Sequence, residues 1–361
     1  MYSRRQSYWA SLPPYLGGKR KLCPVIFREI DRVLPRGHWQ SLHFFDAFAG
    51  GCAVALAAKA RGFDVTACDI ATRSLTVAQA LVANCHVMLG VHDILRVVAS
   101  AKFADGKVSQ KYVPSVFPPN LGRLLDAILI DAERSEIPAK AALERLLALR
   151  VAMLAHPMSS VRPGTARRAV EGNWEAITPS CVKHFVDAHY LDSPERLWTL
   201  AQKINRGVFT GRGRAIQGDT LEVLPEIDAH IIYADPPYPG TQSYESEYRV
   251  VDDLLGDERR PSSLFSAQGG ASLLDKLFER AQHIPIWILS YGNAVTTLDE
   301  LEKKMAQHGR VTRVKSIRYA HKSAQASDVK KWENREFILI GVDPRTTLPI
   351  RRGDALHEVA L

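Results

Sequence analysis

No stretch of the chain approaches the roughly 18 consecutive apolar residues that a membrane-spanning helix requires, so no membrane partner is expected. Cysteine is scarce and odd in number: Cys23, Cys52, Cys68, Cys85 and Cys181, with no two at a C-x-x-C spacing. That argues against a disulfide framework and against a structural zinc site, so no metal is expected and the compartment reads as reducing cytoplasm. The first residues, Met1 to Trp9, are basic, but they run into Pro13-Pro14 and not into an apolar segment, so no secretory signal is read. Internal repeats and long low-complexity tracts are lacking, and so is a G-x-G-x-x-G dinucleotide fingerprint.

What is there is the material of a folded protein. Of 361 residues, 46% are hydrophobic and 24% charged, an ordinary globular balance that excludes disorder over most of the chain. At about 150 residues per domain, the length accommodates one large domain or two modest ones. The net charge is +8, and between Gly90 and Arg214 there are 18 Lys and Arg against 12 Asp and Glu. A local surplus of this sign suits a phosphate-rich partner, because neutralised phosphates release counterions.

Strand and helix signals alternate through the first ninety residues. His43–Ala47 is a short apolar run followed at once by Gly50-Gly51, then a helical stretch from about Val54 to Ala60. Phe63–Asp69 is rich in strand formers and ends in an acid, and a helical pattern runs from about Thr72 to Met88. This β-α-β-α order predicts a parallel sheet with helices on its faces. Ala229–Ala234 and Ile284–Leu289 read as further buried strands, and Arg310–Tyr319 with Glu336–Val342 as a closing pair. Between the two blocks, Leu121–Ala132 and Ala139–Ala155 are helical, the second with an apolar face marked by Leu143, Leu146, Leu147 and Val151. Arg162–Arg168 is a basic, turn-rich loop, and the residues from about Pro349 onward are polar and expected to fray. The middle therefore reads as a mostly helical insertion, residues 90–214, interrupting an α/β domain made of residues 1–89 and 215–348.

The sharpest chemical signal is Asp235-Pro236-Pro237-Tyr238, directly after an apolar strand. Ligands of open parallel sheets bind beyond the carboxyl ends of the strands. Two prolines fix φ and donate no N–H, so they present the carboxylate and neighbouring carbonyls as a stiff, acceptor-only edge beside an aromatic plane. Such an edge suits a planar base with an exocyclic amino group: the ring stacks on Tyr238 while its NH₂ donates to Asp235 and a proline carbonyl. The segment Asp46–Gly51 opens a helix with two glycines that permit close approach of a cofactor to the backbone. Asp69 ends the next strand, where an acid is placed to take ribose hydroxyls.

Tyr15-Leu16-Gly17-Gly18-Lys19, Phe45-Asp46-Ala47-Phe48-Ala49-Gly50-Gly51 and Asp235-Pro236-Pro237-Tyr238, in that order, resemble the D12 class of adenine-specific DNA methyltransferases, which includes the Dam-type enzymes. The resemblance spans roughly residues 13–89 and 215–342. It implies a Rossmann-like fold that binds S-adenosylmethionine, with the helical insertion as a target-recognition region, and transfer of a methyl group to adenine N6 in double-stranded DNA. It further implies that Tyr15, Gly17, Gly18 and Lys19 wrap the methionine end of the cofactor. Asp46, Phe48, Gly50 and Gly51 match the glycine-rich cofactor loop, Asp69 the ribose-binding acid, and Asp219 the reader of the cofactor's adenine amino group. Asp235, Pro236, Pro237 and Tyr238 correspond to the catalytic loop. Tyr291 and Asn293, in Ser290–Asn293, resemble a segment near the target base, and Asn334–Ile338 resembles a closing strand without an assigned role. Cys52 stands where the family keeps Gly or Ser. Arg162, Arg167 and Arg168 are candidate DNA contacts.

The physical argument alone leaves cytosine N4 open as the acceptor, and RNA as the polymer. A catalytically silent DNA-binding subunit is the reading from another class, and the intact loop motifs count against it. A partner restriction endonuclease or defence-system subunit, and a cytoplasmic, nucleoid-associated location, complete the expectation.

Overall fold

The computed structural model describes residues 7–155, 171–173, 190–237, 244–257, 265, 270–293, 296–318 and 335–351. The chain divides into two compact units, one of residues 17–70, 211–243 and 261–361, the other of residues 1–16, 71–210 and 244–260.

The first unit holds a seven-stranded sheet: β1 (His43–Asp46), β2 (Asp64–Asp69), β3 (Gly213–Gln217), β4 (Ile231–Ala234), β5 (Ile286–Gly292), β6 (Val311–Arg318) and β7 (Arg335–Val342). Their order is β3-β2-β1-β4-β5-β7-β6. The first five are parallel, whereas β7 runs antiparallel to both β5 and β6. This is the mixed α/β architecture of a methyltransferase-type Rossmann-like fold. Sequence order reverses between β1 and β4, which creates a switch point where the crossovers leave toward opposite faces. Helices α1 (Cys23–Val33) and α2 (Ala53–Lys59) belong to this unit. Phe45, Ile232, Trp287, Leu289, Phe337 and Leu339 are buried in its core.

The other unit is helical: α3 (Thr72–Val77), α4 (Val91–Ala101), α5 (Lys107–Tyr112), α6 (Pro119–Arg134), α7 (Pro138–Ala155) and α8 (Pro194–Asn205). The pattern read as one helix to Met88 ends sooner. After α3 the backbone widens into a π-helical turn, Ala78–Ala83, and Asn84 stops it by accepting the N–H groups of His86 and Val87. The apolar face read on α7 is also too narrow. Apolar residues surround that helix, and nearly all of its length is buried, as expected of a helix central to its unit. The basic loop Arg162–Arg168 lies outside the described residues, as does the chain beyond Arg351. Arg351 itself donates its N–H to the carbonyl of Val33. No described helix is long and apolar enough to cross a membrane.

Short helices complete the chain: α9 (Thr220–Val223), α11 (Gly270–Arg280) and α12 (Leu298–Gln307) in the sheet unit, and α10 (Tyr244–Leu254) in the helical one.

Candidate active site

Three acids close three neighbouring strands at one edge of the sheet: Asp46 ends β1, Asp69 ends β2, and Asp235 follows β4. The parallel register, Asp46 beside Ala67 and beside Tyr233, puts Asp69 and Asp235 each two residues further along their strands than Asp46. Asp46 and Asp235 therefore flank the switch point, where an open sheet offers its crevice.

The loop after β1 is built to stay close to this edge. Ala47 N donates to the carbonyl of Tyr233 and Ala49 N to that of Cys68, so the loop is tied to both neighbouring strands. Gly50 has φ +48°, a left-handed conformation that glycine adopts without strain. Its N–H donates to Asp69 Oδ2 at 2.7 Å, which links the expected ribose-binding acid to the expected cofactor loop. Cys52, at φ 57°, occupies the N-cap of α2 in the same left-handed region. A glycine is natural there, and the small cysteine tolerates the position.

Asp46 is buried, at 1% exposure. Its Oδ2 accepts Ala55 N at 2.9 Å, while Oδ1 has no hydrogen-bond partner among the described residues. Burial, reinforced by the nearby charge of Asp235, pushes its carboxyl up to about 8. Phe48 packs edge-on against Phe265, with ring centroids 5.1 Å apart. Asp219 uses Oδ1 to cap α9, accepting Leu221 N at 2.8 Å.

Lys19, expected with the segment that wraps the cofactor, reaches the candidate catalytic acid. Its ammonium lies 2.8 Å from Asp235 Oδ1 and 3.3 Å from Glu336 Oε1, and it also donates to the Gly17 carbonyl. Burial pulls the lysine's pKa down, but the two carboxylates outweigh it and hold the ammonium charged well above its ordinary range. Glu336 was legible only as part of a closing strand, and nothing in its local sequence pointed to Lys19. Asp235, Pro236 and Pro237 are described; Tyr238 lies outside the described residues.

Of the residues expected near the target base, Asn293 is exposed, its side chain accepting the N–H of Arg335 at 2.9 Å. Tyr291 is different. It sits opposite Phe337 in the β5–β7 ladder with its ring in the core, at 2% exposure.

In the helical unit, Tyr15 stacks on Tyr248 of α10 with ring centroids 5.2 Å apart. The Tyr248 hydroxyl accepts Leu16 N at 2.8 Å, and Arg73 covers the Tyr248 ring while pairing with Asp252 at 2.5 Å. Sequence reading missed Arg73, Tyr248 and Asp252, because the partners lie far apart along the chain and no spacing rule joins them.

Among the described residues there is no cluster of metal-ligating side chains. The arrangement is one of carboxylate acceptors at the carboxyl ends of neighbouring strands, with the buried Lys19 ammonium beside Asp235.

Comparison with known proteins agrees with this chemistry. Residues 15–121 match the model of the D12 class N6 adenine-specific DNA methyltransferases. The chain is also 25% identical over 338 residues to the type II methyltransferase M2.HphI of Haemophilus parahaemolyticus, an alignment covering 90% of this chain and 96% of that protein. The chain is thus similar to the D12 class of N6 adenine-specific DNA methyltransferases over residues 15–121, and to a type II methyltransferase over nearly its whole length.

Proposed function

We propose that this DNA adenine-N6 methyltransferase takes S-adenosylmethionine as its methyl donor, acts on double-stranded DNA, and flips the target adenine into the crevice beside Asp235. The observation that carries this reading is the row of strand-end acids, Asp46, Asp69 and Asp235, around the switch point. The residues fit the cofactor. A buried carboxylate with one oxygen unpartnered among the described residues is costly alone, and the cationic amino group of the methionine end supplies its missing partner. On this reading Asp69 takes the ribose hydroxyls and Asp219 the cofactor's adenine, and Gly17, Gly18, Phe48, Gly50 and Gly51 line the site.

When bound, the cofactor supplies an electrophilic methyl group on a sulfonium sulfur. The chain's part is positioning and electrostatics. Adenine N6 is a weak nucleophile because its lone pair is delocalised into the ring. With both N–H bonds drawn onto the Asp235 carboxylate and the Pro236 carbonyl, the lone pair is released and aimed in line at the methyl carbon. Forming the N–C bond would break the sulfur–methyl bond, leaving a neutral thioether, and N6 would shed a proton to water by way of this acceptor edge. Tyr238 stacks the flipped base, and Pro237 stiffens the loop that presents it. Unstacking costs a few kcal/mol, which phosphate contacts from the basic residues of 90–214, including Arg162, Arg167 and Arg168, offset. On this reading residues 90–214 carry target recognition, residues 1–89 and 215–348 the chemistry, and Asn293 lies near the base. A cognate restriction endonuclease in a cytoplasmic modification system is the corresponding partner.

The test is direct transfer. Purified protein with methyl-tritiated S-adenosylmethionine is given duplex DNA, single-stranded DNA or RNA, and the polymer is digested to nucleosides. Label in N6-methyladenine from duplex DNA is expected. Label only in N4-methylcytosine or in RNA contradicts the proposal.

A further inference from the structure

We infer that Glu336 is a positioning residue for methyl transfer, acting through Lys19 to hold and charge-balance the Asp235 carboxylate, with Ser290 fixing Glu336 in place. The inference rests on the proposed role of Asp235 as the acceptor for adenine N6.

Glu336 begins the buried part of β7, opposite Gly292 at the end of β5. It is 0% exposed. Ser290, on β5, donates its hydroxyl to Glu336 Oε1 at 2.7 Å, and the Lys19 ammonium lies 3.3 Å from the same oxygen. Lys19 in turn lies 2.8 Å from Asp235 Oδ1. A hydroxyl, a carboxylate, an ammonium and a second carboxylate thus form one chain from the antiparallel edge of the sheet to the catalytic loop. Folding alone gives no reason to bury a second carboxylate here, since a charge taken out of water is expensive even when paired.

The chemistry does give one. Positive charge leaves the sulfonium sulfur and arrives on adenine N6 during the reaction. An Asp235–Lys19 pair alone is neutral, and the full field of the ammonium falls on the acceptor, weakening it. Two carboxylates on one ammonium leave the cluster net negative, so Asp235 keeps its strength as an acceptor. Because charge at N6 grows toward the transition state, that net charge favours the transition state over the bound substrate. Lys19 is meanwhile held on three acceptors, Asp235, Glu336 and the Gly17 carbonyl, which keeps its ammonium out of the space the base must enter.

The experiment compares full-length wild type, E336Q, E336D and S290A, with S-adenosylmethionine and duplex DNA free of N6-methyladenine. Single-turnover transfer is measured beside equilibrium binding of each ligand. E336Q is expected to lose about tenfold or more in transfer rate with cofactor and DNA affinity unchanged. E336D recovers part of the rate, and S290A shows a smaller, equally one-sided loss. Wild-type transfer by E336Q overturns the inference, as does a loss in affinity matching the loss in rate. Should E336Q fail to fold, S290A decides: a slowed transfer with intact binding supports the inference, and an unchanged rate overturns it. Absence of transfer by the wild type itself contradicts the role of Asp235 on which the inference rests, an outcome distinct from the others.

Discussion

Ala55, in the first turn of α2, donates its N–H to Asp46 Oδ2 at 2.9 Å, so the acid that ends β1 also caps the helix that follows it. This bond fixes the carboxylate while leaving its other oxygen for a ligand. The group is held ready at an energetic cost, because burial and the charge of Asp235 raise its pKa to about 8.

The cost has a sign that can be measured. An aspartate whose folded pKa lies above its unfolded value contributes stability that is complete below about pH 4 and is lost as the pH rises through 8. D46N removes that loss, so the ligand-free variant melts higher than wild type at pH 8 and gains little at pH 4. On the proposed reading, the same change deprives the cofactor's ammonium of a charged partner, worth about 1.5–3 kcal/mol. Calorimetric titration should therefore show S-adenosylmethionine binding weakened about tenfold or more. Tighter binding, or lowered stability at pH 8, contradicts this account of Asp46.

Arg73 is the second test. Its ion pair with Asp252 is buried, and its guanidinium lies 4.3 Å from the Tyr248 ring centroid and 5.8 Å from that of the stacked Tyr15. R73A leaves Asp252 buried without its cation and is expected to cost about 3 kcal/mol in urea unfolding. It also loosens the Leu16 amide held by Tyr248, read as faster hydrogen exchange there. Normal exchange at Leu16 would contradict this role of Arg73.

The triple change R162A/R167A/R168A addresses the basic loop. If each arginine neutralises one phosphate, the slope of log binding constant against log salt falls by about three, with a similar loss on any duplex sequence. An unchanged slope returns these arginines to ordinary surface.

How much of this was legible in the sequence depends on distance along the chain. β1, β2 and β4 are short apolar runs bounded by glycine, proline or aspartate, so their strand-end acids announced themselves. β3, Gly213–Gln217, escaped notice because it borders the sheet with little buried side chain: Arg214 and Gln217 are exposed, and only Ala215 and Ile216 are apolar. The widening of α3 into a π-turn left no trace in the periodicity. Lys19 illustrates the limit most sharply. Its motif signalled a site residue, but the carboxylates it holds come from the ends of two other strands, and only the sheet order brings them together. Tyr291, an aromatic in a site-like motif, has its ring in the core, and periodicity could not tell that placement from an exposed one.

The central claim is that Asp235 promotes methyl transfer to adenine N6 by accepting a hydrogen bond from its amino group. It is tested most directly by nucleoside mass analysis of DNA from methylation-deficient cells expressing the wild-type protein or D235A, with cofactor binding measured on both purified proteins. The account predicts N6-methyladenine with the wild type alone, and S-adenosylmethionine bound by both. N6-methyladenine at wild-type levels in D235A cells would contradict it.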